Sequence, residues 1–268
     1  MENLNPSGCK VFAVGSGKGG VGKSTIAVNF AVALAQKGLS VGLLDADVYG
    51  PSIPIMLGLR RLSPQVQRSS DGKEKVLPFT KFGIKSISIG FFIEEARSVM
   101  WRGPILHGTL KKMLNEVIWG DLDVLILDLP PGTGDIQISI AQLLKIDGAI
   151  IVTTPQEVAM LDAIKAINAF DNLEIPLVGI IENMAGFTVP ETGETFHIFG
   201  QGKGQELASR FNTKLLGSIP LIPEIRQGGD EGFPVAFHQG SQNNGSHFHI
   251  LAEHFIRDFL AIQKNPFK

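Results

Sequence analysis

The 268-residue sequence contains a single cysteine, Cys9, so no disulfide can form within the chain. That excludes a disulfide scaffold and makes a reducing compartment, the cytoplasm, the expected location. A dominant charge is also missing: 24 Lys and Arg stand against 26 Asp and Glu, a formal net charge of -2. Without a general basic field, neither nucleic acid nor an anionic membrane is expected as a partner. No apolar run approaches the roughly 20 residues that span a bilayer. The polar opening from Met1 to Lys10 lacks the apolar centre of a signal peptide. Internal repeats and long linkers are absent too. Residues 1–10 are expected to be loose. The chain as a whole, 44% hydrophobic, reads as one domain over 1–268 with a single large core.

What the chain has in quantity is glycine, 31 residues placed at turns and loops. The densest group is Gly17-Lys18-Gly19-Gly20-Val21-Gly22-Lys23-Ser24-Thr25. It satisfies G-x-x-x-x-G-K-[ST], the phosphate-binding loop. The apolar run Val11–Val14 precedes it, and a helical pattern with Ile26, Phe30, Ala33 and Leu34 follows. Glycines let successive backbone N–H groups turn toward phosphate oxygens, and the helix N-terminus adds its positive dipole end. Lys23 is expected on the β- and γ-phosphates and the Ser24 hydroxyl on Mg²⁺. Gly15-Ser16-Gly17-Lys18-Gly19-Gly20 also reads as the dinucleotide fingerprint G-x-G-x-x-G, with Asp45 near the ribose-binding position. That reading leaves Gly22-Lys23-Ser24 and the acid at Asp128 unexplained.

Short apolar runs alternate with helical patterns. The strand-like runs are Val11–Val14, Val41–Leu44, Val124–Leu127, Ala149–Val152, Leu177–Ile181 and Leu215–Ile219; the helical ones are Lys23–Gln36, Asp135–Leu144, Glu157–Phe170 and Gly204–Phe211. Such alternation predicts a three-layer α/β/α fold around a mostly parallel sheet of about seven or eight strands. Residues 60–80 read as an exposed loop leading to a two-strand excursion, Val76–Phe79 and Ile84–Ile89. Residues 183–204 and 227–246 read as long glycine-rich loops. Phe248, Leu251, Phe255, Phe259 and Ile262 share one helical face, expected to pack on the domain. Nothing in the spacing of His247, His249 and His254 fixes a metal geometry.

Two apolar runs end in acids. Val124–Leu127 leads into Asp128, placed to hold the Mg²⁺ shell, and the stiff Leu129-Pro130-Pro131-Gly132-Thr133-Gly134 that follows reads as a switch loop. Leu43-Leu44-Asp45-Ala46-Asp47 supplies a second pair: Asp45 to support Mg²⁺ and Asp47 to orient the attacking water. Phosphoryl transfer needs such positioning and charge neutralisation more than covalent help. Asn183, at the end of a later run, can offer its amide to a purine edge.

Lys18, in K-G-G-x-G-K-[ST], resembles the signature lysine of the deviant Walker A ATPases, the MinD/ParA-like superfamily. Within it the chain resembles the Mrp/ApbC family of iron–sulfur cluster carrier ATPases. The resemblance rests on GSGKGGVGKST, LLDADVYGPSIPIMLG, VMWRGPIL, LILDLPPGTGD, VTTPQEVAMLD and IENMAGF. It implies ATP rather than GTP, a face-to-face homodimer in which Lys18 reaches the partner's nucleotide, Asp47 as the water-orienting acid, and cytosolic delivery of clusters to client or scaffold proteins. Family members usually carry C-P-x-C-G after the last stretch, two thiolates per subunit for a bridging iron–sulfur cluster. Here Val189-Pro190-Glu191-Thr192-Gly193 stands in its place, and iron–sulfur clusters want sulfur. The leading expectation is an ATP-hydrolysing switch with its own cluster site lost. A carrier using Cys9 or partner ligands and a MinD/ParA-like positioning ATPase are the alternatives.

Overall fold

The computed structural model describes residues 4–6, 8–68, 72–92, 103–237 and 244–260. In chain order the first half comprises β1 (Lys10–Gly15), α1 (Lys23–Gln36), β2 (Val41–Asp45), α2 (Ile53–Met56), β3 (Val66–Arg68), β4 (Glu74–Val76), β5 (Phe79–Lys81), β6 (Ile84–Ser88) and α3 (Gly103–Asn115). Then come β7 (Val124–Asp128), α4 (Asp135–Leu143), β8 (Gly148–Thr153), α5 (Glu157–Asn172) and β9 (Leu177–Asn183). The remainder is β10 (Phe187–Thr188), β11 (Thr195–Phe196), α6 (Lys203–Arg210), β12 (Lys214–Ile219), α7 (Pro223–Glu231) and α8 (Ser246–Phe259).

Eight strands form the main sheet in the order β12-β9-β8-β1-β7-β2-β6-β5, all parallel but for β5, which runs antiparallel to β6. The inner strands β1, β2, β7 and β8 are buried almost throughout, as both-face coverage requires. Crossovers from β1 through α1 run one way along the sheet, and those through α4, α5 and α6 run the other. With right-handed connections the two sets cover opposite faces, which gives the three layers. The direction reverses at β1, so the crevice at its carboxyl end is the fold's natural ligand site. α1 is buried without a break from Ile26 to Leu34. α8 packs beside it: Phe255 lies edge-on to Phe12 and Phe30, with ring centroids 4.8 and 5.0 Å apart.

The apolar C-terminal face therefore packs on the domain, with Phe248, Leu251 and Phe255 buried; Ile262 lies outside the described residues. The expected two-strand excursion is corrected. Ile84–Ser88 is an integral parallel strand beside β2, and the Val76–Phe79 run is divided at Leu77 and Pro78 between β4 and β5. Pro78 has no N–H to give a ladder. The 60–80 segment carries the β3–β4 ribbon, and the expected 227–246 loop begins inside α7. Within the first ten residues, Leu4 N–H donates to the Leu143 carbonyl (3.0 Å) and Asn5 exchanges two hydrogen bonds with Lys145. The Trp101-Arg102 part of the VMWRGPIL stretch lies outside the described residues. No described helix is long and apolar enough to cross a membrane.

Candidate functional site

The loop after β1 is fixed by close approach. A Cβ on Gly17 would fall 2.1 Å from the Asp162 backbone of α5, so only glycine lets the loop rest on that helix. Gly22 sits at φ 85° as the N-cap of α1, and a Cβ there would meet Asn183 Nδ2 at 2.2 Å. Asn183 is buried at the end of β9 and donates from Nδ2 to the Val21 carbonyl at 2.9 Å. In this structure its amide braces the loop from the far side. Gly19 and Gly20 are exposed, and Lys18 Nζ donates to Gln156 Oε1 at 3.2 Å beside α5. Ser24 and Thr25 open α1, where the helix N-terminus faces the crevice.

Beneath the loop the acids converge. Asp45 and Asp128 are register partners on adjacent strands. Lys23, only 6% exposed, places its ammonium 2.7 Å from Asp128 Oδ1, 3.3 Å from Asp47 Oδ2 and 3.1 Å from Ser24 Oγ. Burial works against its charge, but Asp128 first and then Asp47 outweigh it and raise its pKa. Asp45 has no solvent exposure and accepts from Ser88 Oγ (2.8 Å), Asp47 N–H (3.1 Å) and Ile53 N–H (3.3 Å). Burial, then the Asp128 charge, pushes its carboxyl up to about 8. Burial raises Asp128 as well, against the pull of Lys23. Asp47 Oδ1 accepts from the N–H groups of Tyr49 and Gly50, which aims Oδ2 at Lys23.

Three carboxylates and one ammonium leave two negative charges when all are ionised and one while Asp45 keeps its proton, so the cluster attracts a cation in either state. Asp128 Oδ2 is buried with no hydrogen-bond partner. That orphaned oxygen, with the Ser24 hydroxyl beside Lys23, fits a hard cation that takes oxygen ligands. Among the described residues no group of three or more His, Cys, Asp or Glu is arranged as a ready metal cage. Mg²⁺ characteristically lacks one, drawing most ligands from water and phosphate. The same finding covers His247, His249 and His254.

The loop between β7 and α4, the expected switch loop, closes the other side. Gly132 N–H donates to the Ser16 carbonyl (2.9 Å), and Thr133 and Gly134 are exposed at the crevice. A cleft of about 360 Å³ adjoins the phosphate loop, lined among others by Gly22, Thr25, Met56, Asn183, Leu221 and Ile222. Sequence reasoning missed this cleft because four separate segments build it. It also missed Ser88 as the holder of Asp45, Gln156 as the partner of Lys18, and Gln137. The signal for Gln137 was present: a long amide in the first turn of a helix that follows a proline-glycine loop.

The Val189–Gly193 turn belongs to the β10–β11 ribbon. Val189 N–H donates to the Glu194 carbonyl (2.9 Å) and Gly193 N–H to the Val189 carbonyl (2.8 Å); residues 190–198 are exposed. The ribbon offers no thiolate, so its donor set does not fit an iron–sulfur cluster. Cys9 precedes β1, about 20 Å along the strand from the phosphate loop, and is buried. Burial, with Asp147 and Asp123 adding, pushes its thiol up to about 12. Cys9 thus lies at the opposite end of the sheet from the ribbon, and its thiolate is disfavoured.

A family model described as NUBPL iron-transfer P-loop NTPase matches residues 9–256. The chain is 46% identical over 257 residues to the Arabidopsis thaliana iron-sulfur protein required for NADH dehydrogenase, mitochondrial, covering 96% of this chain and 80% of that protein. It is 50% identical over 226 residues to the iron-sulfur cluster carrier protein of Aquifex aeolicus, covering 84% of this chain and 61% of the relative. The chain therefore spans about three-fifths of that carrier's length. Among solved structures, a nucleotide-binding protein from Archaeoglobus fulgidus in complex with ADP superposes with a TM-score of 0.72 at 39% identity, covering 83% of this chain and 86% of that one.

Proposed function

The chain belongs to the NUBPL iron-transfer P-loop NTPase family, and from that premise we propose that it is a Mg²⁺-dependent, ATP-hydrolysing homodimeric switch that serves iron–sulfur client or scaffold proteins. One observation carries the reading: the Lys23 ammonium held between Asp128, Asp47 and Ser24 under a helix N-terminus. In the proposed reaction Lys23 leaves its carboxylates for the β- and γ-phosphates, and the loop N–H groups from Gly19 to Thr25 surround the phosphate oxygens. Ser24 and Asp128 would hold Mg²⁺, with Asp45 supporting them; when bound, the metal would neutralise charge on the transferring phosphoryl group. Asp47, freed of Lys23, orients the attacking water. Asn183, through the amide oxygen left over from its bond to Val21, and the apolar cleft beside Gly22 receive the base of ATP; the ADP complex of the Archaeoglobus relative supports nucleotide binding in general.

Exposed Val158 and Leu161 on α5 lie beside Lys18 and Gln156, and Phe196 and Ile198 are exposed on the ribbon. These apolar side chains around the loop support a face-to-face dimer in which Lys18 reaches the partner's nucleotide. Its cargo chemistry differs from that of the cysteine-bearing carriers: a ribbon with Val189 and Thr192 acts through protein contacts, not through a cluster of its own. The single cysteine supports a cytoplasmic location, and the near-neutral charge supports neither nucleic acid nor membrane as partner.

The test is steady-state ATP hydrolysis with Mg²⁺, read beside anaerobic reconstitution with iron and sulfide. Turnover in the wild type, no turnover in Lys23→Ala and no bound iron are the expected results. A wild type that binds no nucleotide sinks the reading.

A further inference from the structure

The switch loop is held by one side chain that the phosphate-loop motif does not include. Gln137, in the first turn of α4 and 5% exposed, donates from Nε2 to two loop carbonyls, Gly132 at 2.7 Å and Pro130 at 3.1 Å. Those carbonyls also fix which way the amide points: with oxygen and nitrogen exchanged, the side-chain oxygen would face two acceptors. Gly132 is tied in turn to the phosphate loop through its N–H on the Ser16 carbonyl. A continuous chain of hydrogen bonds runs from Ser16 through Gly132 to Gln137.

Gln137 Oε1, by contrast, is buried with no hydrogen-bond partner. A buried acceptor left unmade is costly, and each one in a native structure calls for an explanation. The switch loop has donors to offer. Its prolines carry no N–H, and the Leu129 and Gly132 N–H groups are engaged with Val14 and Ser16. Thr133 and Gly134 follow in the loop, both exposed and each with a backbone N–H.

We propose that Gln137 is a positioning residue that gives the switch loop two settings: Nε2 holds the Pro130 and Gly132 carbonyls in one, and Oε1 captures a loop N–H in the other, which the γ-phosphate selects. Gln137 touches no substrate; it acts through the loop. The proposal rests on the ATPase reading above and concerns the step that distinguishes ATP from ADP.

Two variants test it in the full-length protein. Gln137→Met keeps the length and removes both donor and acceptor; Gln137→Glu, assayed across pH, removes the donor and keeps the acceptor once its buried carboxyl is ionised. Turnover of ATP, KM, and the dissociation constants of ADP and of a non-hydrolysable ATP analogue are measured, with thermal melts confirming the fold. Gln137→Met is expected to lower kcat by roughly tenfold to a hundredfold, as loop misplacement does, with ADP affinity unchanged within about twofold. Gln137→Glu is expected to raise the preference for the ATP analogue over ADP, because only the second setting survives. A purely structural glutamine would instead lower melting temperature and shift both nucleotides together. That result, or kcat and nucleotide preference unchanged in both folded variants, overturns the proposal. Wild type that binds the analogue but never hydrolyses ATP defeats the ATPase reading alone, and the analogue-to-ADP ratio still decides the role of Gln137. Wild type that binds neither nucleotide overturns both.

Discussion

Two loops stand at the carboxyl edge of the same sheet, one after β1 and one after β9, and they are built on opposite terms. The phosphate loop is clamped on every side: Gly17 against α5, Gly22 against Asn183, Lys23 among buried acids. The β10–β11 ribbon is exposed from Pro190 to Ile198, and its turn is closed by its own backbone. Asn183 joins them, since it ends β9 and bonds to Val21. Many contacts fix the chemistry of the first loop, so it tolerates little change. The ribbon, exposed from Pro190 to Ile198, carries few contacts that a substitution there would disturb. On the proposed function, the two loops would be free to change independently, the nucleotide end held and the ribbon end open to change.

The comparison predicts unequal consequences of mutation. Lys23→Ala should have the largest effect, abolishing measurable ATP turnover and weakening nucleotide binding, because it removes the phosphate-seeking cation and leaves Asp128 unpaired in the core; calorimetric titration and phosphate release check both. Lys18→Ala should bind nucleotide normally and lose hydrolysis, and full turnover by that variant would break the assignment of the second lysine. The double variant Val189→Cys with Thr192→Cys should gain iron–sulfur absorbance on anaerobic reconstitution where the wild type shows none, with ATP turnover little changed. Colour in wild type that persists in Cys9→Ala would show that the ribbon was never the relevant site.

A fourth test concerns protons. Asp45 is raised from 3.8 to about 8, so the folded form holds its proton where the unfolded chain has lost it. That contribution to stability is complete below pH 3.8 and is lost as pH rises through about 8. Melting temperature, measured without nucleotide, should fall over this window, and Asp45→Asn should flatten the slope. The smallest effect belongs to Cys9. Its thiol should resist alkylation in the folded protein at mildly alkaline pH and react once denatured, and Cys9→Ala should turn over ATP as wild type does.

Much of this was legible in the chain. A glycine-rich loop between an apolar run and a helix, and Asp128 at the end of Val124–Leu127, carry their meaning in adjacent residues. The absence of cysteine from Val189–Gly193 is equally plain in the chain. What stayed hidden depends on distance in sequence. Asn183 reaches back 162 residues to Val21, and Ser88 meets Asp45 across 43; no local pattern announces either contact. The cleft gathers residues from α1, α2, β9 and α7, each unremarkable where it stands in the chain. The Val76–Phe79 run misled for a local reason: apolar periodicity continued through Pro78, which cannot donate to a ladder.

Lys23 sits on Asp128 and Asp47 as a counter-ion tethered to the protein itself. On the function proposed above, free Mg²⁺ would have to displace a cation that the backbone keeps in place, whereas a triphosphate would draw that cation away, so the order of loading to expect is a metal that enters already chelated by its nucleotide.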